Sequence, residues 1–413
     1  MRAPGSLPTP RRRALTLLLL AGAVLAAMSP WFTASAAADL LRAEHGLGAG
    51  QVAWLTGIVQ LGFVAGTLLA AVLNLADLVP SRRLFATCAL LTAGANALLL
   101  LAPGYGGLLA ARFFTGFFLA GVYPPAMKMA ATWFLTGRGL AIGTVVAALT
   151  VGKAAPFLLR GGGTGEGTPG IVLGASALAL AGSALVFFLY REGPHPFERR
   201  PFRWSLAGEV LRHRPTRLAT WGYLGHMWEL YAMWSAIALF FGAHFALRGA
   251  EDPAGLAAVT TFWVIAAGGA GSIVAGLLAD RFGREKVAGG ALAASGLIAL
   301  GIGWGVGAPT WILVVVALAW GATVVADSAQ FSALVTEVSP PYAAGTALTL
   351  QTSMGFLLTM VTIQAVPWIA ESWGWGPAFA LLAPGPVVGI LAMVRLRRLR
   401  AGPPPVRRAV EEV

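Results

Sequence analysis

Cysteine is almost absent from this 413-residue chain: the single thiol is Cys88. One cysteine excludes internal disulfides and any metal site built on several thiolates, and it is silent on redox compartment. Lysine is nearly as scarce, with only Lys128, Lys153 and Lys286. A phosphate-cradling loop needs Gly-Lys with a second glycine five residues before the first. The sole Gly-Lys is Gly152-Lys153, and the earlier position holds Ala147, so the sequence carries no ATP-binding loop of that type. Charge is sparse throughout, at 11% of residues, against roughly 25% in ordinary soluble domains.

What fills the chain is apolar: 57% of its residues are hydrophobic. A dozen membrane helices of ~20 residues each would take ~240 residues, which this length accommodates. The predicted fold class is therefore an all-α integral membrane protein. The net charge of +12 then describes loops facing an anionic leaflet, and no nucleic-acid partner is expected.

Arg11-Arg12-Arg13, the apolar run after Ala14 and Ala34-Ser35-Ala36 imitate a secretory leader. The run continues to about Ala38, long enough to span, and is read as the first span. Charged or Gly/Pro-marked breaks then give apolar segments at 14–38, 50–76, 84–102, 107–133, 139–160, 170–190, 218–246, 256–279, 287–306, 310–335, 345–369 and 377–395. These divide into a tail (1–13), a six-helix half (14–190), a linker (191–217), a second six-helix half (218–395) and a closing tail (396–413). The linker holds seven arginines. With the N-terminus inside, 23 basic residues face the cytoplasm and three face out (Arg42, Arg160, Arg248). That asymmetry predicts both termini cytoplasmic in a cell (inner) membrane.

The halves echo one another. Asp77 ends the second span just before Arg82-Arg83, and Asp280 ends the eighth just before Arg281 and Arg284. Aligning the aspartates also puts Gly66 on Gly269, as a six-plus-six repeat requires.

Residues 276–286 read GLLADRFGREK. Gly276 is expected to let a neighbouring helix approach, Gly283 to permit a tight turn, and Asp280 to accept from the exposed N–H groups of a neighbouring helix start. Arg281 and Arg284 can pair with acidic groups on the cytoplasmic rim. This segment resembles the loop signature of the major facilitator superfamily, with Glu285 departing from the usual basic run. The first-half copy, LNLADLVPSRR at 73–83, keeps Asp77 and the arginines but has Leu73 and Pro80 in place of both glycines. RFFTGFFLAG at 112–121 is similar to the family's R-x-x-x-G motif. The stretch from Pro124-Pro125 through Trp133-Phe134 to Arg138-Gly139, with Pro156 beyond, resembles organic-anion and phosphate-ester porters of that superfamily. The Gly-Pro motif of its drug antiporters is absent, because Lys153 follows Gly152.

The resemblance implies two six-helix bundles around a central cavity, rocking alternately to move a small solute. Ionised groups within spans cost roughly 2.5–3.5 kcal/mol each by insertion scales, so each should be paired or should line that cavity. They are Arg112, Lys128 and Lys153 in the first half, and His226, Glu229 and Asp327 in the second. His226 shares a helical face with Glu229, and Asp327 shares one with Thr323 and Gln330. Glu229 and Asp327 are the expected proton carriers. Lys153 and Arg112 are the expected anion contacts, and Lys128 is expected to snorkel. Trp31 and Trp228 are candidate cavity liners. Gly62-x-x-x-Gly66 and Gly301-x-x-x-Gly305 are expected to be helix contacts.

No cofactor and no metal are expected, since one His and one Glu make no usual ligand set. The expected partners are a small-molecule substrate, a proton and the bilayer, with the chain acting as a monomer. A drug or metabolite exporter is the alternative within transport. An intramembrane enzyme lacks its catalytic set, because Met227 follows His226 and Asp327 has no intramembrane partner Asp. A receptor would want a large soluble output domain.

Overall fold

The computed structural model describes residues 9–134, 138–162, 167–195 and 202–401. Among these every regular element is helical, and twelve helices are long and apolar enough to cross a membrane. The first half comprises α1 (Pro10–Ala36), α2 (Ala49–Val72), α3 (Ser81–Leu101), α4 (Tyr105–Ala131), α5 (Leu140–Gly161) and α6 (Gly167–Leu189). The second comprises α7 (Arg214–Leu247), α8 (Pro253–Phe282), α9 (Arg284–Gly305), α10 (Thr310–Val338), α11 (Pro341–Trp373) and α12 (Trp375–Arg400). An even number of crossings returns the chain to its starting side. The side carrying both ends is called the near side below, and the other the far side.

The spans run past their sequence-based limits mainly on the near side. α7 starts at Arg214 rather than 218, with Pro215 in its first turn, where a missing N–H costs nothing. α12 continues through Arg397, Arg398 and Arg400, cations placed at a helix C-terminus.

Two helices break. α1 is α-helical over Pro10–Met28, passes through a 3-10 turn at Ser29–Phe32 and resumes at Thr33–Ala36. Pro30 has no N–H to continue the ladder, and its ring opposes the carbonyl one turn back. α10 is interrupted at Asp327, which closes one helical segment and opens the next.

Within each half the packing is set by glycine at corresponding places. A methyl group on Gly116 of α4 would lie 2.0 Å from the Val59 carbonyl of α2. One on Gly321 of α10 would lie 1.8 Å from the Val264 carbonyl of α8. Both pairs bring backbones closer than any side chain allows. Gly62 and Gly66 likewise face the Phe113 and Phe117 carbonyls. Gly301 does not behave this way. It is exposed, and a methyl group there would meet nothing within 4 Å, whereas Gly303 packs on Trp375.

The halves meet along α5 with α8 and along α2 with α11. The seam is tightest on the far side, where a methyl group on Gly161 would lie 2.8 Å from the Gly255 carbonyl. Toward the near side, one on Gly143 would clear Ser272 and Ile273 by 3.9 Å.

Candidate functional site

Lys153 of α5 lies at the seam, 1% exposed. Its Nζ donates to the hydroxyl of Tyr231 on α7, so this bond joins the two halves. The ammonium also stands 3.7 Å from the Trp31 ring centre, 4.7 Å from that of Tyr231 and 5.6 Å from that of Trp234. Trp31 comes from the broken segment of α1, and Tyr231 and Trp234 are one turn apart on α7. Phe63 of α2 and Phe356 of α11 complete the wall, 4.6 Å apart and each within 6 Å of Trp31. No carboxylate pairs with Lys153 among the described residues.

Other polar groups on the helices that build this site are unsatisfied. Trp31 Nε1, Trp234 Nε1 and both amide atoms of Gln60 (α2) and Gln351 (α11) are buried without a hydrogen-bond partner. Gln60 precedes Phe63 by one turn and so shares its helical face. A buried donor or acceptor left unpaired costs about 1–3 kcal/mol. Cation–π contact returns about 2 kcal/mol when desolvated, less than the several kcal/mol needed to bury an ammonium. The geometry therefore makes a cationic, aromatic-walled site with spare hydrogen-bonding capacity, suited to an anion with an apolar body.

Arg112 lies elsewhere. It is fully buried inside the first half and spends its N–H groups on the scaffold. Nη1 donates to the Pro30 carbonyl at 2.9 Å and to Asn96 Oδ1 at 3.1 Å, Nε donates to the Leu55 carbonyl at 3.4 Å, and Nη2 donates to the Trp31 carbonyl. One guanidinium from α4 thus ties α1, α2 and α3, and it adds a charged donor to carbonyls at the α1 break, of which that of Pro30 also accepts from Thr33.

The acidic residues form two sets in the second half. Glu229 Oε2 accepts from Ser295 of α9 at 2.8 Å, and Oε1 accepts from Trp320 Nε1 of α10 at 2.6 Å. His226, expected beside Glu229, turns to α10 instead, with Nδ1 2.8 Å from Asp327 Oδ1. That pair is close but not aligned as a hydrogen bond, and none of its N or O atoms has another partner. The rings of Phe331 and Tyr223 enclose His226 at 5.7 and 6.1 Å. Gln330 lies beyond the α10 break and accepts from Arg284 at 3.0 Å.

At the near side, Gly283 carries φ +89°, a left-handed value suited to glycine, and joins α8 to α9 in one residue. Arg284 pairs with Glu337 at 2.7 Å, and Glu285 accepts from Arg400 of α12 at 2.7 Å. Asp280 is exposed and has no partner among the described residues. Arg281 lies over the neighbouring Phe282 ring, 5.2 Å from its centre. Gly276 departs from expectation: a methyl group there would meet nothing within 4 Å, so no helix approaches it in this arrangement. The side chain of Asp77 lies outside the described residues. Trp228 is half-buried and donates to the Leu381 carbonyl of α12 at 2.9 Å, tying two helices of one half.

Sequence reasoning missed Tyr231, Trp234, Phe63, Phe356, Gln60 and Gln351. The Tyr231–Trp234 spacing marked a shared face, but nothing in the sequence said that Lys153 would meet it.

Residues 19–250 and 249–413 match the Major Facilitator Superfamily. The chain belongs to that superfamily. No curated protein matches it in sequence. Among solved structures it resembles a bacterial homologue of the human lysosomal transporter Spinster in an inward-facing, occupied conformation, at TM-score 0.66 and 16% identity over 95% of this chain and 96% of the other. It also resembles a point mutant of the nucleoside transporter NupG, at TM-score 0.72 and 13% identity over 93% of this chain and 99% of the other. Identities this low speak for the fold alone. As a member of the Major Facilitator Superfamily with twelve spanning helices, the chain is a multi-pass membrane transporter.

Proposed function

We propose that this transporter carries a small organic anion together with a proton by alternating access, as a monomer in the inner membrane with both termini cytoplasmic. The observation that supports the anion is Lys153, a buried ammonium between the halves with aromatic faces around it and no carboxylate partner among the described residues. A carboxylate or phosphate ester would supply the missing charge, displace the Tyr231 hydroxyl and pair with the free indole and amide N–H groups. Its apolar body would lie on Trp31, Phe63 and Phe356.

The proton is assigned to Asp327 with His226, whose N and O atoms are committed to no other bond. Glu229, held by two donors, supports that site by fixing α7 against α9 and α10. The seam, tighter at Gly161 than at Gly143, fits a cavity that opens on the near side. Asp280 is the group proposed to close that side, with Asp77 as its counterpart.

The test is thermal unfolding of the purified protein against monocarboxylates, dicarboxylates, phosphate esters, amino acids and sugars. An organic anion should stabilise the wild type, and Lys153→Gln should weaken its affinity at least about tenfold, equivalent to ~1.4 kcal/mol. Stabilisation confined to neutral solutes, or left undiminished in Lys153→Gln, would reject the anion reading.

A further inference from the structure

A second basic site stands at the near-side membrane boundary, away from the seam and independent of the transport reading. A cavity of about 490 Å³ opens between the start of α1 and the ends of α4 and α6. Two arginines line it, Arg12 from α1 and Arg191 just past α6. One buried residue fixes both. Trp133 is 2% exposed. The Arg12 guanidinium lies over its ring, 5.5 Å from the centre, and its Nε1 donates to the Arg191 carbonyl at 3.1 Å.

The chain after α6 is anchored here as well. His195 N donates to the Thr132 carbonyl at 3.1 Å, and Gly193 lies so close to Thr132 that a methyl group would approach its carbonyl to 2.3 Å. Thr16 and Tyr190 also line it, with their hydroxyls bonded to the Arg12 and Met129 carbonyls, and Leu19 and Leu189 continue it toward the apolar surface. Beside the cavity, Leu15, Leu18 and Phe188 are 58%, 66% and 76% exposed, and the lining Leu189 is 60% exposed. Neither arginine pairs with a carboxylate among the described residues, and the neighbouring Glu192 is exposed.

We propose that this cavity binds the headgroup of an anionic phospholipid, its phosphate between Arg12 and Arg191 and an acyl chain along the exposed leucines of α1. The charge selects an anion, and the depth selects a lipid. Both arginines stand at near-side ends of spanning helices, where a headgroup phosphate would lie, and the apolar flank follows α1 and α6 into their spans. A soluble phosphate ester would match the arginines but leave the flank unused.

Native mass spectrometry of the full chain from a neutral detergent tests this. With phosphatidylglycerol and phosphatidylcholine of matched chains, the wild type should retain one phosphatidylglycerol at least about tenfold more strongly. Glycerol phosphate should fail to displace it. Arg12→Gln combined with Arg191→Gln should lose that selectivity, whereas Arg397→Gln with Arg398→Gln, an equal charge change on the same side, should keep it. Equal loss in both pairs would make the attraction diffuse, and displacement by glycerol phosphate would make the ligand soluble. Either result overturns the proposal. If the first double variant does not fold, equal retention of the two lipids by the wild type still overturns it.

Discussion

Arg112 holds the carbonyl of Trp31, and the ring of that same tryptophan lies 3.7 Å from Lys153 Nζ. One cation therefore sets the backbone that presents an aromatic face to another. The first is spent on four acceptors inside its own half, and the second sits on the seam between halves.

Arg112→Gln should consequently act as a stability mutation before a binding one. It removes the charged donor shared by the Pro30, Trp31 and Leu55 carbonyls and Asn96. Pro30 keeps Thr33 as a donor and Leu55 lies within a helix, so the penalty is about 1–3 kcal/mol for a group left unpaired rather than for each. Thermal unfolding in detergent should show a marked drop. An intact melting temperature with lost ligand affinity would instead place Arg112 in direct contact with substrate.

Glu229→Gln and Asp327→Asn should separate. A carboxamide presents one acceptor and one NH2 group where Glu229 meets two donors, so Glu229→Gln should cost about 1–3 kcal/mol of stability. Asp327 has no such donors to disappoint. Its Asn variant, which mimics a fixed proton, should keep substrate exchange in proteoliposomes and lose uptake driven by a pH gradient. Undiminished gradient-driven uptake would remove Asp327 from coupling.

Asp280→Asn should leave thermal stability within about 0.5 kcal/mol, since the side chain is exposed and unpartnered here. Its transport rate should nevertheless fall, because the proposed closed state needs the charge. Wild-type uptake at equal protein level would sink the gating role.

Gly116→Ala and Gly321→Ala should each destabilise by about 1–3 kcal/mol through overpacking against a carbonyl. Gly301→Ala, into open space, should be neutral or slightly stabilising. Equal melting temperatures for all three would contradict the backbone contacts described.

Hydropathy disclosed the twelve helices because a bilayer demands a long apolar run from each of them, and the Gly-Leu-Leu-Ala-Asp segment disclosed the superfamily. The α1 break at Pro30 was concealed inside such a run, since apolarity carries no sign of a lost hydrogen bond. Helical spacing placed His226 and Glu229 on one face correctly, but a face about 100° wide touches more than one neighbour. The structure sends His226 to Asp327 and Glu229 to Ser295 and Trp320. Lys153 was legible as a costly charge. Its surroundings were not, because Trp31 and the Tyr231–Trp234 pair reach it from two helices far apart in the chain. Glycine pairs misled in the same way: Gly62 and Gly301 carry the same spacing, and only tertiary packing decides which one faces a helix.

The Lys153–Tyr231 bond crosses from one half to the other, so in the proposed cycle it would work as a clutch. With nothing bound, the halves cannot part at that level without stranding a buried ammonium and a phenol. The proposed anion would take the lysine and free the tyrosine, so that the load itself would disengage the two bodies. In the proposed cycle the loaded carrier would turn easily, and the empty return, which must break the Lys153–Tyr231 bond unaided, would set the pace of net uptake.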